Sequence, residues 1–151
     1  MKRLILSGAS FGLLFAGMAF ARQEQGVNAK NVPAPVTAAV MAFPNAKVGG
    51  WSKETEPDGK VFYEAEMTEG KIKRDVLFAL DGKIDVVEEA IAATEVPAAV
   101  RAALKARYPK AAISLAEKLT RTSGTQYELQ VKNAPKKEIV FTPDGKLVSE
   151  E

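Results

Sequence analysis

Apolar residues recur every three or four positions in two stretches of the chain, and this spacing places them on one side of a helix. The two sets are Val32, Val36, Val40 and Phe43, and Val96, Val100, Leu104 and Tyr108. Pro33 and Pro97 suit a first helical turn, where a missing N–H costs little. Pro44 and Pro109 stop each helix just after its aromatic residue. The pattern predicts two helices of about three turns each.

Alternation of apolar and polar residues follows each helix and predicts antiparallel strands. It is clearest at Val61, Tyr63, Ala65 and Met67, and at Tyr127, Leu129 and Val131. Further strands are predicted at 72–80, 84–87, 137–142 and 147–148, and with poorer alternation at 48–56 and 113–122. Each helix is therefore expected to precede four strands.

The two halves of the chain match each other at a nearly constant offset. The stretch Val32–Val36, VPAPV, corresponds to Val96–Val100, VPAAV, 64 residues later. Asp81-Gly82-Lys83 corresponds to Asp144-Gly145-Lys146 at an offset of 63. We expect two tandem repeats, at about 31–92 and 93–151, each with one helix and its strands.

Asp-Gly pairs lie between apolar runs at 58–59, 81–82 and 144–145, and Ser123-Gly124 takes the same place once. Asp-Gly is among the strongest hairpin signals, because Gly accepts a positive φ and Asp bonds within its own turn. The alternative is a calcium loop, which needs several oxygen ligands at alternating positions and a distant Glu. Each Asp stands almost alone, so we expect hairpin turns and no metal site.

The first 21 residues have the pattern of a signal peptide, with a positive start at Met1-Lys2-Arg3 and an apolar run from Leu4 to Phe20. Ala19-Phe20-Ala21 predicts cleavage after Ala21. A retained membrane anchor is the alternative, but glycines interrupt the short run. We expect a periplasmic or secreted protein without a membrane span. A flexible leader is predicted at 22–30, and a single domain at 31–151.

Charge and composition narrow the classes of function. Without Lys2 and Arg3, the 21 basic residues fall to the number of acidic residues, 19. A near-neutral chain without a basic stripe does not favour nucleic-acid binding. His and Cys are both absent, which excludes catalytic triads, thiol nucleophiles and the usual zinc ligands. No cofactor is expected.

Carboxylate chemistry is the remaining route to catalysis. Glu64 and Glu66 are the best candidates, because they share one face of a strand about 7 Å apart. The simpler interpretation is a solvated strand face, and the second repeat carries Glu128 and Gln130 at the matching positions. We therefore expect a protein that is not an enzyme.

A candidate partner-binding surface lies on the first helix, which has no charged residue from Val32 to Phe43. Thr37 stands where the second helix has Arg101, and Met41 stands where it has Lys105. Exposed apolar surface of this kind can mark an interface. Trp51, Tyr63, Tyr108 and Tyr127 are instead expected to pack in or against the core.

The Val-Pro-x-x-Val helix start, the aromatic-Pro helix end, the Tyr-Glu strand and the strand closing on Asp-Gly-Lys resemble the PepSY-like family. This family is described as similar to the beta-lactamase inhibitor protein. The resemblance extends over nearly all of Val32 to Glu151. It implies an exported, non-enzymatic α+β protein, in which tandem helix-plus-antiparallel-strand repeats form one curved antiparallel sheet with helices on one face.

Some relatives in this group bind or inhibit enzymes, so the expected function is that of an exported, non-catalytic binding protein. The expected partner is another extracytoplasmic protein. An inhibitor would use the open sheet face and its hairpin tips. The alternative is a small-ligand-binding or envelope-sensing module with a pocket between helix and sheet.

Overall fold

The computed structural model describes residues 23–56 and 58–150. Within them the chain forms one antiparallel sheet of nine strands, whose order in the sheet is their order in the chain. The strands are β1 (Gln23–Gly26), β2 (Lys47–Thr55), β3 (Val61–Glu69), β4 (Ile72–Ala79), β5 (Ile84–Ile91), β6 (Ala112–Arg121), β7 (Gly124–Lys132), β8 (Glu138–Phe141) and β9 (Leu147–Glu150). The helices are α1 (Ala34–Ala39) before β2 and α2 (Ala98–Arg107) between β5 and β6. The predicted α+β class is confirmed, and the predicted cleavage after Ala21 lies outside the described residues.

Both helices pack on the same face of the sheet, where alternate side chains of the strands point. Near α1 the buried residues are Val32, Val36, Ala65, Met67, Val76 and Phe78. Near α2 they are Val96, Val100, Leu104, Ala116, Leu129, Val131, Ile139 and Phe141. Full burial of a Val, Leu or Phe side chain contributes roughly 1.5–3 kcal/mol. These two clusters therefore form the main core.

The opposite face has its own apolar cluster, built from strands alone. It contains Leu77, Val86, Leu119 and Val140, with Phe62 packed against it. Val140 on β8 belongs to the same cluster as Leu119 on β6, although β7 lies between these strands and neighbouring strands are about 4.8 Å apart. Side chains two strands apart meet most easily where the sheet curves toward them. We infer from this contact that the sheet curves toward this face, which is called the concave face below.

Glycine forms the hairpin turns, as the Asp-Gly pairs predict. Gly59, Gly82 and Gly145 have φ values of 85°, 82° and 84°. The backbone N–H of Lys60 donates to Asp58 Oδ1 at 3.0 Å, which is the expected bond within the turn. Gly82 also lies against α1, because a Cβ there would come within 2.5 Å of the carbonyl oxygen of Pro35.

Three sequence predictions differ from the structure. Residues 23–26, within the predicted flexible leader, form β1 and pair with β2, because an open sheet edge offers free backbone hydrogen-bonding groups. The first helix is shorter than predicted: α1 ends at Ala39 and continues as a 3-10 turn at Val40–Ala42, a common way for a helix to end. β5 extends to Ile91, beyond the predicted 84–87, because it pairs with both β4 and β6.

Candidate functional site

Carboxylate side chains cross the concave face in a continuous band from β1 to β7. Each of these residues lies opposite either another carboxylate of the band or another residue of the concave face on the neighbouring strand. We call this band the acidic ribbon, and its members are Glu24, Glu54, Glu64, Glu66, Asp75, Glu88, Glu117 and Glu128. Seven consecutive strands contribute to it.

The register of the sheet brings these carboxylates directly opposite one another. Glu66 pairs with Asp75, and Asp75 pairs with Glu88, which forms a row across β3, β4 and β5. Glu117 pairs with Glu128 across β6 and β7. Opposed residues in an antiparallel pair have Cβ atoms about 4.5–5.5 Å apart, so like charges at these positions repel.

Most members of the ribbon are buried, although both helices pack on the other face of the sheet. Glu54, Glu64, Glu88, Glu117 and Glu128 are all buried, and Glu54 has no exposed surface. Glu24 and Asp75 are partly exposed, and Glu66 is exposed. The ribbon therefore has an accessible part near β3 and β4 and a buried remainder.

Burial and mutual repulsion raise the pKa values of carboxyl groups in the ribbon. The pKa of Glu88 is raised to about 9, first by desolvation and then by the charges of Glu117 and Glu128. Desolvation raises the pKa of Asp75 to about 6, and that of Glu117 to about 6 as well. At neutral pH Glu88 is therefore protonated, whereas Asp75 and Glu117 are mostly ionised.

Glu54 and Glu64 form a carboxyl pair at the β2–β3 end of the ribbon. Desolvation raises the pKa of Glu64, and a hydrogen bond with Glu54 raises it further. Two carboxyl groups in this arrangement share a proton, because both cannot ionise side by side. Both are buried, so a substrate has no direct access to the pair. Glu66, two residues along the same strand, points to solvent.

Two buried oxygen atoms, one beside the ribbon and one in it, have no hydrogen-bond partner among the described residues. They are Ser52 Oγ, directly across from Glu64, and Glu88 Oε1 in the middle of the ribbon. Ser52 is 5% exposed and Glu88 is 3% exposed. Buried polar groups in proteins nearly always have a partner, so these two atoms are exceptions among the buried polar groups.

A second concave feature lies beside α2, where a cavity of about 590 Å³ opens between the helix and β6. Leu104 and Ile113 give it an apolar lining, while Arg101 and Lys105 contribute positive charge. Arg101 Nη1 also donates to the carbonyl oxygen of Val96 at 2.6 Å. This volume is within the range typical of small-molecule sites.

The two predicted partner-binding residues are both on the outer surface of the first helical segment. Met41 is 77% exposed, and Thr37 is also exposed. Thr37 Oγ1 donates to the carbonyl oxygen of Ala34 at 3.0 Å. Met41 is followed by exposed Ala42, and neither residue belongs to the acidic ribbon, so this surface and the ribbon are separate.

The aromatic residues pack as the sequence predicts. Trp51 and Tyr63 are half-buried against the cluster beneath α1, and Tyr108 and Tyr127 against the cluster beneath α2. Tyr108 Oη also donates to Glu150 Oε2 at 2.8 Å, which connects the end of α2 to β9.

Sequence reasoning missed the acidic ribbon. It treated Glu64 as part of a solvated strand face, but Glu64 is buried and bonded to Glu54. The signal was present in the polar phase of the strand alternation, where acidic residues recur from Glu54 to Glu128. Recognising the ribbon requires the strand register, which places the acidic positions of all these strands on the same face.

Two further observations bear on function. In the part of the chain that the structure describes, neither helix is long and apolar enough to cross a membrane. Across 23–56 and 58–150, no group of three or more Asp or Glu side chains has a geometry that could hold a metal ion. The hairpin Asp residues bond their own turns instead, as Asp81 Oδ1 does in accepting from the N–H of Lys83 at 3.1 Å.

Solved structures share this fold at low sequence identity. A BLIP-like protein from Bacteroides fragilis NCTC 9343 is 21% identical with a TM-score of 0.60, and the match covers 79% of this chain and 85% of that one. A DUF2874 family protein from Bacteroides uniformis ATCC 8492 is 22% identical with a TM-score of 0.65, covering 79% and 88%. A protein described as periplasmic from Bacteroides eggerthii DSM 20697 is 22% identical with a TM-score of 0.65, covering 80% and 88%.

At these identities the structural likeness concerns the fold alone, and the search of curated proteins gives no match. The family comparison works at the level of sequence. The model for beta-lactamase-inhibitor-like, PepSY-like proteins matches residues 61–149, from the start of β3 into β9 and so across most of the sheet. Since this match spans more than half of the 151 residues, the chain belongs to the beta-lactamase-inhibitor-like, PepSY-like family.

Proposed function

We propose that the protein is an exported, non-catalytic binding module that holds another extracytoplasmic protein against the concave face of its sheet. The arrangement of that face carries the proposal. Both helices pack on the other side, and the concave side combines an apolar centre with the acidic ribbon. Protein interfaces commonly join an apolar centre to a polar surround. The family's similarity to beta-lactamase inhibitors supports enzyme inhibition as one form of this binding.

The absence of catalysis is supported by composition and by burial. The sequence has no His and no Cys, which leaves carboxyl groups as the main acid–base candidates. The Glu54–Glu64 pair is buried, and Glu66 is exposed rather than held in a cleft. General acid–base catalysis needs a group within hydrogen-bond reach of the substrate.

Export is supported by the signal-peptide pattern of residues 1–21 and by the neighbour from Bacteroides eggerthii, which is described as periplasmic. Cleavage after Ala21 would release a periplasmic or secreted chain. Mass spectrometry of the protein recovered from the extracytoplasmic fraction tests this: an N-terminus at Arg22 is expected, and an intact Met1 would refute it.

We also propose that residues 31–151 form one domain of two tandem repeats, at about 31–92 and 93–151. Matching contacts in the two halves support this. A Cβ at Gly82 would meet the carbonyl oxygen of Pro35 at 2.5 Å, and a Cβ at Gly145 would meet that of Ala99 at 2.7 Å. In each half, a hairpin glycine lies against the first turn of a helix.

The exposed side of the first helical segment, at Thr37 and Met41, is a second proposed contact surface. An exposed helix face without charged side chains is typical of a surface that contacts another protein. It is distinguished from the concave face by mutation, because Met41→Glu changes only the helix side and Glu66→Lys changes only the sheet side.

The experiment is crosslinking capture from the host's extracytoplasmic extract, with wild type, Met41→Glu and Glu66→Lys compared. Both residues are exposed, so both variants should fold. One protein recovered stoichiometrically by wild type and lost with Glu66→Lys supports the concave face. Loss with Met41→Glu alone moves the contact to the helix. Recovery of no specific protein would count against a protein partner.

The alternative is a small-ligand-binding or envelope-sensing module, which the cavity beside α2 favours. A ligand bound there would raise the free energy of unfolding by about 2.7 kcal/mol at a hundredfold excess over its dissociation constant. Thermal shift with small amphipathic anions is the test, since Arg101 and Lys105 line the cavity. Stabilisation that Lys105→Ala removes would favour this alternative.

A further inference from the structure

The acidic ribbon concentrates carboxyl groups where a sheet face usually avoids them. Glu66, Asp75 and Glu88 lie directly opposite one another on adjacent strands, and Glu117 lies opposite Glu128. Opposed like charges destabilise an antiparallel pair, and burying a carboxylate without a cation costs still more. Packing alone would favour apolar side chains, as in the cluster at the centre of the same face.

The chain treats carboxylates differently on the other face of the same strands. There Arg74 Nε donates to Glu89 Oε2 and Arg74 Nη1 donates to Glu69 Oε2, both at 2.7 Å. Glu89 and Glu88 are neighbours on β5, yet Glu89 has a guanidinium partner while Glu88 Oε1 has no partner among the described residues. Glu88 Oε1 therefore lacks the guanidinium partner that its neighbour Glu89 has.

Ser52 provides an independent sign that the ribbon is an incomplete binding site. Its side chain is 5% exposed, faces Glu64 across β2 and β3, and leaves Oγ without a hydrogen bond in the described chain. A hydroxyl and a carboxyl oxygen, each buried and unpartnered, lie in the same band as accessible carboxylates. The accessible carboxylates of this band are acceptors, so they fit ligands that bring several N–H donors.

The geometry of the ribbon decides between a metal ion and an organic cation as its ligand. No three carboxylates in the described chain are arranged to hold a metal ion. The ribbon instead runs across seven strands, a span of about 29 Å at about 4.8 Å per strand. An extended peptide of about nine residues has the same length, and its basic side chains can reach the members of the ribbon that are accessible, Glu24, Glu66 and Asp75.

We propose that the acidic ribbon seats an extended segment of a partner protein that is rich in Lys or Arg. Its ammonium or guanidinium groups lie over Glu66 and Asp75, the members of the ribbon that are accessible on β3 and β4. Glu66 lies over Gly50 of β2, where its carboxylate oxygens are 3.3 and 3.4 Å from the position of an added Cβ, and its side chain is exposed. This assignment rests on the proposed binding function and names the chemistry of the partner.

The test uses a fluorescent peptide of about nine residues with alternating Lys and Ser, and fluorescence anisotropy at low and physiological salt. The purified protein is compared with Glu66→Gln/Asp75→Asn. The matched control is Asp81→Asn/Asp144→Asn, which removes the same charge from exposed hairpin turns. We expect roughly tenfold weaker binding for the ribbon variant and less than about twofold for the control. Thermal unfolding verifies that each variant is folded.

Equal weakening in both variants would overturn the proposal, because attraction would then depend on net charge alone. Spermidine or calcium ions binding as tightly as the peptide would also overturn it, in favour of a small cation. Self-association that the peptide does not disturb would assign the ribbon to a second copy of the chain. If the peptide fails to bind while extract capture persists with Glu66→Gln/Asp75→Asn, this inference fails and the proposed binding function stands.

Discussion

Replacing Gly145 with Ala should weaken the last hairpin and its contact with α2 at the same time. Gly145 has a φ of 84°, and a Cβ there would lie 2.7 Å from the carbonyl oxygen of Ala99 and 3.4 Å from the Cβ of Ala103. Gly59 is the matched control. Its φ is 85°, it also lies between Asp and Lys, and a Cβ there would meet nothing within 4 Å.

The structure separates two contributions to the cost. A non-glycine residue in the left-handed region costs roughly 1–2 kcal/mol, and this applies equally to Gly59→Ala and Gly145→Ala. Overlap with packed backbone typically adds about 1–3 kcal/mol, and this applies only to Gly145→Ala. We therefore expect losses of about 1–2 and about 2–5 kcal/mol in the free energy of unfolding.

Chemical denaturation of both variants measures these losses, and thermal unfolding provides a second reading. One kcal/mol lowers the Tm of a domain of this size by roughly 4 °C, so the two variants should differ by about 4–12 °C. Gly82→Ala should behave like Gly145→Ala, because its Cβ would lie 2.5 Å from the carbonyl oxygen of Pro35. Equal losses at Gly59 and Gly145 would refute the packing of the hairpin against α2.

Three further predictions concern charge and exposure. The pKa of Glu88 is about 9 in the folded protein against 4.5 for the ordinary group. Its contribution to stability is therefore complete below pH 4.5 and is lost as the pH rises toward 9, by on the order of 1.4 kcal/mol per pH unit at most. Glu88→Gln should make this fall shallower in denaturation curves measured across pH 4–9. Arg107→Gln removes the ion pair with Glu150 and should speed amide hydrogen exchange in β9, and unchanged exchange would show that the pair does not fix this edge. Met41→Glu should change the free energy of unfolding by less than about 0.5 kcal/mol, because the side chain is 77% exposed, and a large loss would place Met41 in the core.

Local patterns in the sequence predicted most of the fold. The four-residue spacing of Val100 and Leu104 predicted the buried side of α2, and the Asp-Gly pairs predicted the hairpins. These features depend on residues close together in the chain, so helix and strand periodicity is enough to recognise them. The short first helix was harder, because its 3-10 ending at Val40–Ala42 depends on how it packs.

The candidate site could not be predicted in the same way. Whether Glu64 is solvated depends on the strands beside it, and Glu88 meets Asp75 and Glu117 only through the register of β4, β5 and β6. A polar phase in one strand normally indicates solvent. The carboxylates become a buried band only because the polar sides of several neighbouring strands lie on the same concave face.

The sheet also has a consequence for how the chain can fold. Because β1 to β9 lie in the sheet in chain order, every strand pairs with the one made just before it, and none has to wait for a distant partner. Folding rates fall as contacts become more remote in sequence. A chain that emerges from a narrow channel, N-terminus first, can therefore add one strand at a time to a growing edge. We expect its half-emerged forms to resemble a shorter version of the final sheet.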